Sequence, residues 1–202
     1  MKKIFLVITI LLILVSCGNT DYPSKDIYIG CIGIENDDKL KINCLIPNSS
    51  KNENSESFII KLASGDNLNE ALDNLELGES HKINYNHIST ILININSFND
   101  YLINEIIELS INKLRISFNS YVFFTKEKIE DVYKIINKES DTLLNPLMEP
   151  VYSYDIYENV KPIHLITFFK QYLNDNELIV PLIKIKDSSI IINEGINIKY
   201  PF

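Results

Sequence analysis

Apolar and polar residues change their spacing several times along the chain, and each change marks an element. The chain starts Met1-Lys2-Lys3, runs apolar from Ile4 to Val15, and turns polar after Ser16-Cys17. About a dozen apolar residues behind a short basic start is the pattern of an export signal. It falls short of the roughly 20 that a comfortable membrane-spanning helix needs. From Ile27 onward alternation takes over. Residues 27–34 and 39–46 predict two strands paired across the acidic turn Asn36-Asp37-Asp38. A polar, Asn/Ser-rich loop occupies 47–56, and 57–63 predicts a third strand. Asp66 then predicts a helix N-cap. Leu68, Ala71, Leu72 and Leu75 recur at helical spacing as far as Leu77-Gly78.

The next segment, Ile88 to Ile95, is apolar nearly throughout, as expected of a strand covered on both faces. Ser97 predicts the cap of a second helix whose buried stripe is Leu102, Ile103, Ile106, Ile107 and Ile111. Residues 115–125 predict a strand. Thr125 predicts the cap of a third helix, with Ile129, Val132, Tyr133 and Ile136 on one side. Between 137 and 162 the chain is polar and carries Pro146, Pro150 and Pro162, which predicts a long connection. Tyr152, Tyr154 and Tyr157 in it are either interface anchors or a cover for a small core. Leu165, Phe168, Phe169, Tyr172 and Leu173 predict a fourth helix. Pro181 marks 178–185 as an edge strand or no strand, and 190–200 predicts a final strand.

These elements predict an α+β or mixed α/β fold, a mixed sheet with packed helices followed by a smaller helix-plus-strand segment. The expected organisation is a signal peptide over 1–16, a polar tether over 17–26, an α/β domain over 27–136, a connection over 137–162 and a helix-strand segment over 163–202. That last segment either belongs to a second subdomain or completes the first.

Composition narrows the function. The 202 residues carry a net charge of −8, which weighs against nucleic-acid binding, since that needs clustered Lys and Arg. Leu14-Val15-Ser16-Cys17 has the form of a bacterial lipobox, so Cys17 is the expected lipidation site and the first residue of the mature chain. Each buried acyl CH2 contributes about 0.8 kcal/mol, so multiple chains anchor stably. The folded part is then expected on the extracytoplasmic face of a membrane. An exported protein can form disulfides. Alternation nevertheless puts Cys31 and Cys44 on opposite sheet faces, so they are expected to be separate buried thiols.

Catalytic signals are weak. His81 and His87 lie six residues apart with no carboxylate or thiol to complete a metal site. His81 is expected at the surface, His87 packed, and His164 at the surface or capping its helix. Glu76 with Glu79, and Asp37 with Asp38, are read as solvated acids at a helix end and in a turn. No nucleophile elbow, phosphate loop, dinucleotide fingerprint or zinc-protease motif occurs. No catalytic residue, metal or cofactor is therefore expected.

The order of several short motifs goes further. Gly33-Ile34-Glu35 precedes a hairpin that ends in Leu45-Ile46-Pro47-Asn48. Ala63-Ser64-Gly65-Asp66 leads into Glu70-Ala71. Asn86-His87 precedes the apolar strand, and Arg115 to Phe124 forms an aromatic one. Val180-Pro181-Leu182-Ile183-Lys184-Ile185 and Asn193-Glu194-Gly195-Ile196 follow near the end. Together with the lipobox, this series resembles the N-terminal region of the Ger(x)C family, the lipoprotein C subunits of bacterial spore nutrient germinant receptors. Glu35 stands where that family has Asp, and Gly18-Asn19 where it has Trp-Asp after the lipid-bearing Cys. The resemblance implies a lipid-anchored, non-enzymatic receptor subunit at the spore inner membrane. It implies an integral-membrane subunit and a sensing subunit as partners. The alternative is an extracytoplasmic ligand-binding or structural lipoprotein unrelated to germination.

Overall fold

The computed structural model describes residues 26–48, 58–112, 116–139, 160–174 and 177–198. Cys17, the rest of the tether up to residue 25, and Tyr152, Tyr154 and Tyr157 lie outside the described residues. In chain order the strands are β1 (Ile27–Tyr28), β2 (Cys31–Asn36), β3 (Leu40–Pro47), β4 (Phe58–Gly65), β5 (Ile83–Asn84), β6 (Thr90–Asn94), β7 (Tyr121–Thr125), β8 (Ile163–His164), β9 (Leu178–Lys186) and β10 (Ser189–Ile198). The helices are α1 (Leu68–Leu77), α2 (Asp100–Ile111), α3 (Ile129–Glu139) and α4 (Leu165–Leu173).

The main sheet runs β10-β9-β7-β6-β2-β3-β4, with β8 added beside β7. Its four middle strands, β9, β7, β6 and β2, are parallel. Antiparallel hairpins close the two ends, β2–β3–β4 on one side and β9–β10 on the other. A small parallel pair, β1–β5, sits apart. The fold is α+β, as the pattern of elements predicts.

Two core layers follow from period-two alternation. On one face, Ile32, Ile34, Ile42, Cys44, Ile91, Ile93 and Phe124 pack beneath α1, α2 and α4. On the other, Cys31, Leu45, Leu92, Phe123 and Ile183 pack against Ile129, Val132, Tyr133 and Ile136 of α3. This helix touches β2, β3 and β4 and also β10, so strands from both ends of the sheet reach it and the sheet curls around it. Phe98, Phe124, Phe168 and Tyr172 interlock between β7 and α4 with ring centroids 5.1 to 6.3 Å apart. Such aromatic pairs contribute about 0.5–1.5 kcal/mol each beyond the area they bury.

Several boundaries move from their sequence-based positions. Asn67, not Asp66, caps α1, its Oδ1 accepting the Glu70 N–H at 2.8 Å. Asn99, not Ser97, caps α2 in the same way. In both cases the residue immediately before the first helical residue has the side-chain reach to bond three residues on. Ile111 is 57% exposed, and Leu109 completes the buried stripe of α2 in its place. Strand β7 begins at Tyr121, because Ser117 to Ser120 form a turn. Thr125 ends that strand, its hydroxyl accepting the Glu127 N–H, and the helix starts four residues later.

Pro181 does not make β9 an edge strand. β9 lies between β10 and β7, and its ladder to β7 involves Leu182 and Ile183, just past the proline. The missing N–H is thus not needed on that side. The β9–β10 turn is Asp187-Ser188, with φ of 51° and 64°. Positive φ at both central residues is what a two-residue hairpin of native twist requires.

Candidate functional site

Two of the concave places on the described surface differ in size and lining. The larger, about 640 Å³, lies beside Asp26. Ile27, Ile46, Pro47 and Ile59 line it, and Lys61, Glu79 and His81 stand at its rim. Lys61 Nζ pairs with Glu79 Oε1 at 2.8 Å. Tyr28 also contributes to its wall, and its ring meets that of His87 edge-on at 4.9 Å. Both flanking strands lead here by register, since Ile46 of β3 faces Ile59 of β4. Volume and lining suit an apolar group a few hundred Å³ in size.

The smaller, about 200 Å³, sits at the C-terminal ends of β2 and β6, between Asn36, Ser97, Asn99 and Tyr101. Ser97 Oγ accepts the Asn36 N–H at 2.6 Å, and Lys39 pairs with Asp66 at 2.9 Å across its rim. Its polar groups largely bond one another.

The buried polar cluster under α3 is structural. Glu35 ends the Gly33-Ile34-Glu35 motif. Its carboxylate accepts from the Asn43 amide at 3.1 Å and from the Ile129 N–H at 3.3 Å. It therefore joins the second and third strands to the positive N-terminus of α3. Two residues earlier, Gly33 lets that helix approach. A Cβ there would lie 2.3 Å from Ile129 Cγ2 and 3.0 Å from the Tyr133 hydroxyl. The hydroxyl of Tyr133 and Oδ1 of Asn43 are buried with no partner among the described residues. At the far end of α3, the Asn137 side chain bonds both backbone groups of Phe58, accepting its N–H at 2.8 Å and donating to its C=O at 2.9 Å. Sequence reasoning missed Asn137, because an amide in a polar stretch carries no local signal of a partner 79 residues away.

The cysteines, histidines and paired acids singled out in the sequence lie at separate places in the described fold. Cys31 and Cys44 are buried on opposite faces, as alternation predicts. Burial pushes the Cys44 thiol well above its ordinary range, and the same cause raises the Tyr133 phenol. His81 is exposed. His87, expected to pack, is exposed as well, because its side chain lies outside the core against Tyr28. His164 sits at the N-cap of α4 without a side-chain capping bond. Its Nδ1 lies 2.8 Å from the Asn119 carbonyl, and its ring stacks on Tyr121 at 4.2 Å. Asp37 pairs with Lys41 at 2.5 Å, which holds its carboxyl below the usual range. Among the described residues no three His, Cys, Asp or Glu side chains converge as metal ligands. Among them, too, no helix is long and apolar enough to cross a membrane.

Comparison with known proteins gives the arrangement a context. The family model described as the spore germination protein N-terminal domain matches residues 26–185. A solved structure titled as the crystal structure of the GerBC protein is similar, with 12% identity and a TM-score of 0.36 over 83% of this chain. The chain spans about half of that structure, 51% of its length. No curated protein matches. The matched range begins one residue before β1 and ends within β9, so it takes in the four described helices and most of both core layers. With so much of its length inside that domain, the chain belongs to the Ger(x)C family of spore germination proteins.

Proposed function

We propose that the protein is a lipid-anchored, non-enzymatic subunit of a spore nutrient germinant receptor. Cys17 carries the lipid and holds the folded part at the outer face of the spore inner membrane. Its work is protein–protein contact with an integral-membrane subunit and a sensing subunit. The observation that carries this reading is the family match over residues 26–185. The lipobox Leu14-Val15-Ser16-Cys17 supports the anchor. The 640 Å³ groove beside Asp26 supports a contact surface near the tethered end. A nine-residue step from Cys17 to Asp26 spans at most about 30 Å, so that surface stays close to the bilayer.

The test is a pull-down from spores in mild detergent, with a C-terminal tag and a Cys17→Ala control. The expected result is co-purification of the integral-membrane receptor subunits, lost in the control. Recovery from vegetative envelopes without such subunits would return the protein to the class of general binding lipoproteins.

A further inference from the structure

Among the described strands β4 ends the sheet, and its register with β3 fixes which of its backbone groups face outward. It pairs with β3 in unbroken register from Phe58 to Gly65. The Phe58 N–H and C=O are both taken by the Asn137 side chain, so they point away from β3. In an antiparallel strand the two backbone groups of a residue share a side, and every second residue repeats it. Ile60, Leu62 and Ser64 therefore also present their backbone groups outward. The structure agrees at Ser64, whose carbonyl accepts the Asn74 amide at 2.8 Å. Two asparagines thus close the two ends of the edge. Between them, the outward N–H and C=O of Ile60 and Leu62 have no partner among the described residues.

The side chains around this window are unusual for a free edge. Leu62 is 59% exposed on the α3 face, next to Ile60, which packs on that helix's core. On the other face, Ile59 is 42% exposed at the mouth of the 640 Å³ groove, and Lys61 lies beside it. Bare edges of this kind normally carry several charges or a proline. This one carries a single lysine.

We infer that the Ile60–Leu62 window of β4 takes up an extended segment of a different polypeptide, of apolar–acidic–apolar pattern, as an added edge strand. Two N–H and two C=O groups in strand register are matched by another extended backbone and by little else. The incoming residues opposite Ile60 and Leu62 place their side chains on the α3 face, over the exposed leucine. The residue opposite Lys61 faces the groove side, where a carboxylate would share the ammonium with Glu79. The same lysine argues against a second copy as the occupant. Antiparallel pairing of two β4 edges about this window would set Lys61 directly opposite Lys61, and like charges so placed are destabilising.

The test uses the full chain in spores, with a photoreactive phenylalanine in place of Leu62 and, as a control, in place of the equally exposed Tyr101 on α2. The expected result is an adduct to another polypeptide at least tenfold stronger from position 62 than from position 101. Its cross-linked peptide should carry Asp or Glu between two apolar residues, and Lys61→Glu should weaken the adduct at least fivefold. Amide exchange in the purified full chain gives a second measurement that needs no partner. Ile60 and Leu62 should exchange at least tenfold faster than Ile59 and Lys61, whose backbone groups face β3. Equal protection of all four would overturn the free edge. An adduct within the chain, an adduct between two copies, or equal yields at 62 and 101 would overturn the proposed occupant. The inference stands apart from the receptor reading. An adduct to a protein that is not a receptor subunit would retain the docking window and sink that reading, whereas co-purification without an adduct would do the reverse.

Discussion

Gly33 is glycine because α3 rests directly on it. Its φ is not positive, so the requirement is space rather than backbone freedom. A methyl group there would meet Ile129 at 2.3 Å and push α3 off the sheet. Gly33→Ala is expected to cost about 1–3 kcal/mol, the range for overpacking a filled core. Urea unfolding checks it as a lower midpoint with unchanged slope. Tyr133, on the helix above, gives the opposite expectation. Its hydroxyl is fully buried and has no partner among the described residues, so its burial carries a desolvation cost that none of them offsets. Tyr133→Phe is expected to be neutral or stabilising by up to about 1 kcal/mol, read from the same unfolding curves. A clear loss of stability would show that the hydroxyl is bonded in solution.

At the scale of elements, α3 is the helix whose attachment decides the second core layer. Its apolar stripe was legible in sequence as Ile129, Val132, Tyr133 and Ile136, and all four are buried. The ends of its attachment were not. Glu35 holds its start and Asn137 ties its finish to β4. In sequence Glu35 reads only as the end of the Gly33-Ile34-Glu35 motif, with no partner indicated, and Asn137 as an ordinary polar position. Asn137→Ala removes two buried hydrogen bonds and leaves the Phe58 N–H and C=O unsatisfied. The expected loss is about 2–4 kcal/mol, because stranded backbone groups cost more than the net worth of the bonds. Amide exchange at Phe58 should rise first, since the edge strand would fray from that end. The cap positions teach a similar lesson. Asp66 and Ser97 have good capping chemistry, but Asn67 and Asn99 stand immediately before the first helical turn and make the bonds.

For the whole molecule, the buried Cys44 thiol makes stability depend on alkaline pH. Burial raises the Cys44 thiol above its ordinary 9.0, so the folded state keeps the proton that the unfolded state gives up. The stability this represents is fully present below 9.0 and is lost as pH rises toward the folded value. The urea midpoint is therefore expected to hold up to about pH 9 and to fall as pH rises above it, with a shallower fall in Cys44→Ala. A thiol reagent at neutral pH should label Cys31 and Cys44 only as fast as the protein opens, since both side chains are fully buried.

Local periodicity determined the elements of this protein, because a stripe every 3.6 residues or an alternation every two buries one face wherever the element ends up. It also separated Cys31 from Cys44, since neighbouring strands in a known register leave no freedom about which face a side chain takes. Strand order lay beyond such patterns. β9 could sit inside the sheet despite Pro181 only because its ladder to β7 starts past the proline, which depends on a pairing between distant segments. The same holds for α3, packed alone on its face among the described helices, and for the closure of β4 by Asn137 and Asn74. The sequence records that these residues are polar or apolar, and only the folded chain decides which backbone group or cavity each one meets.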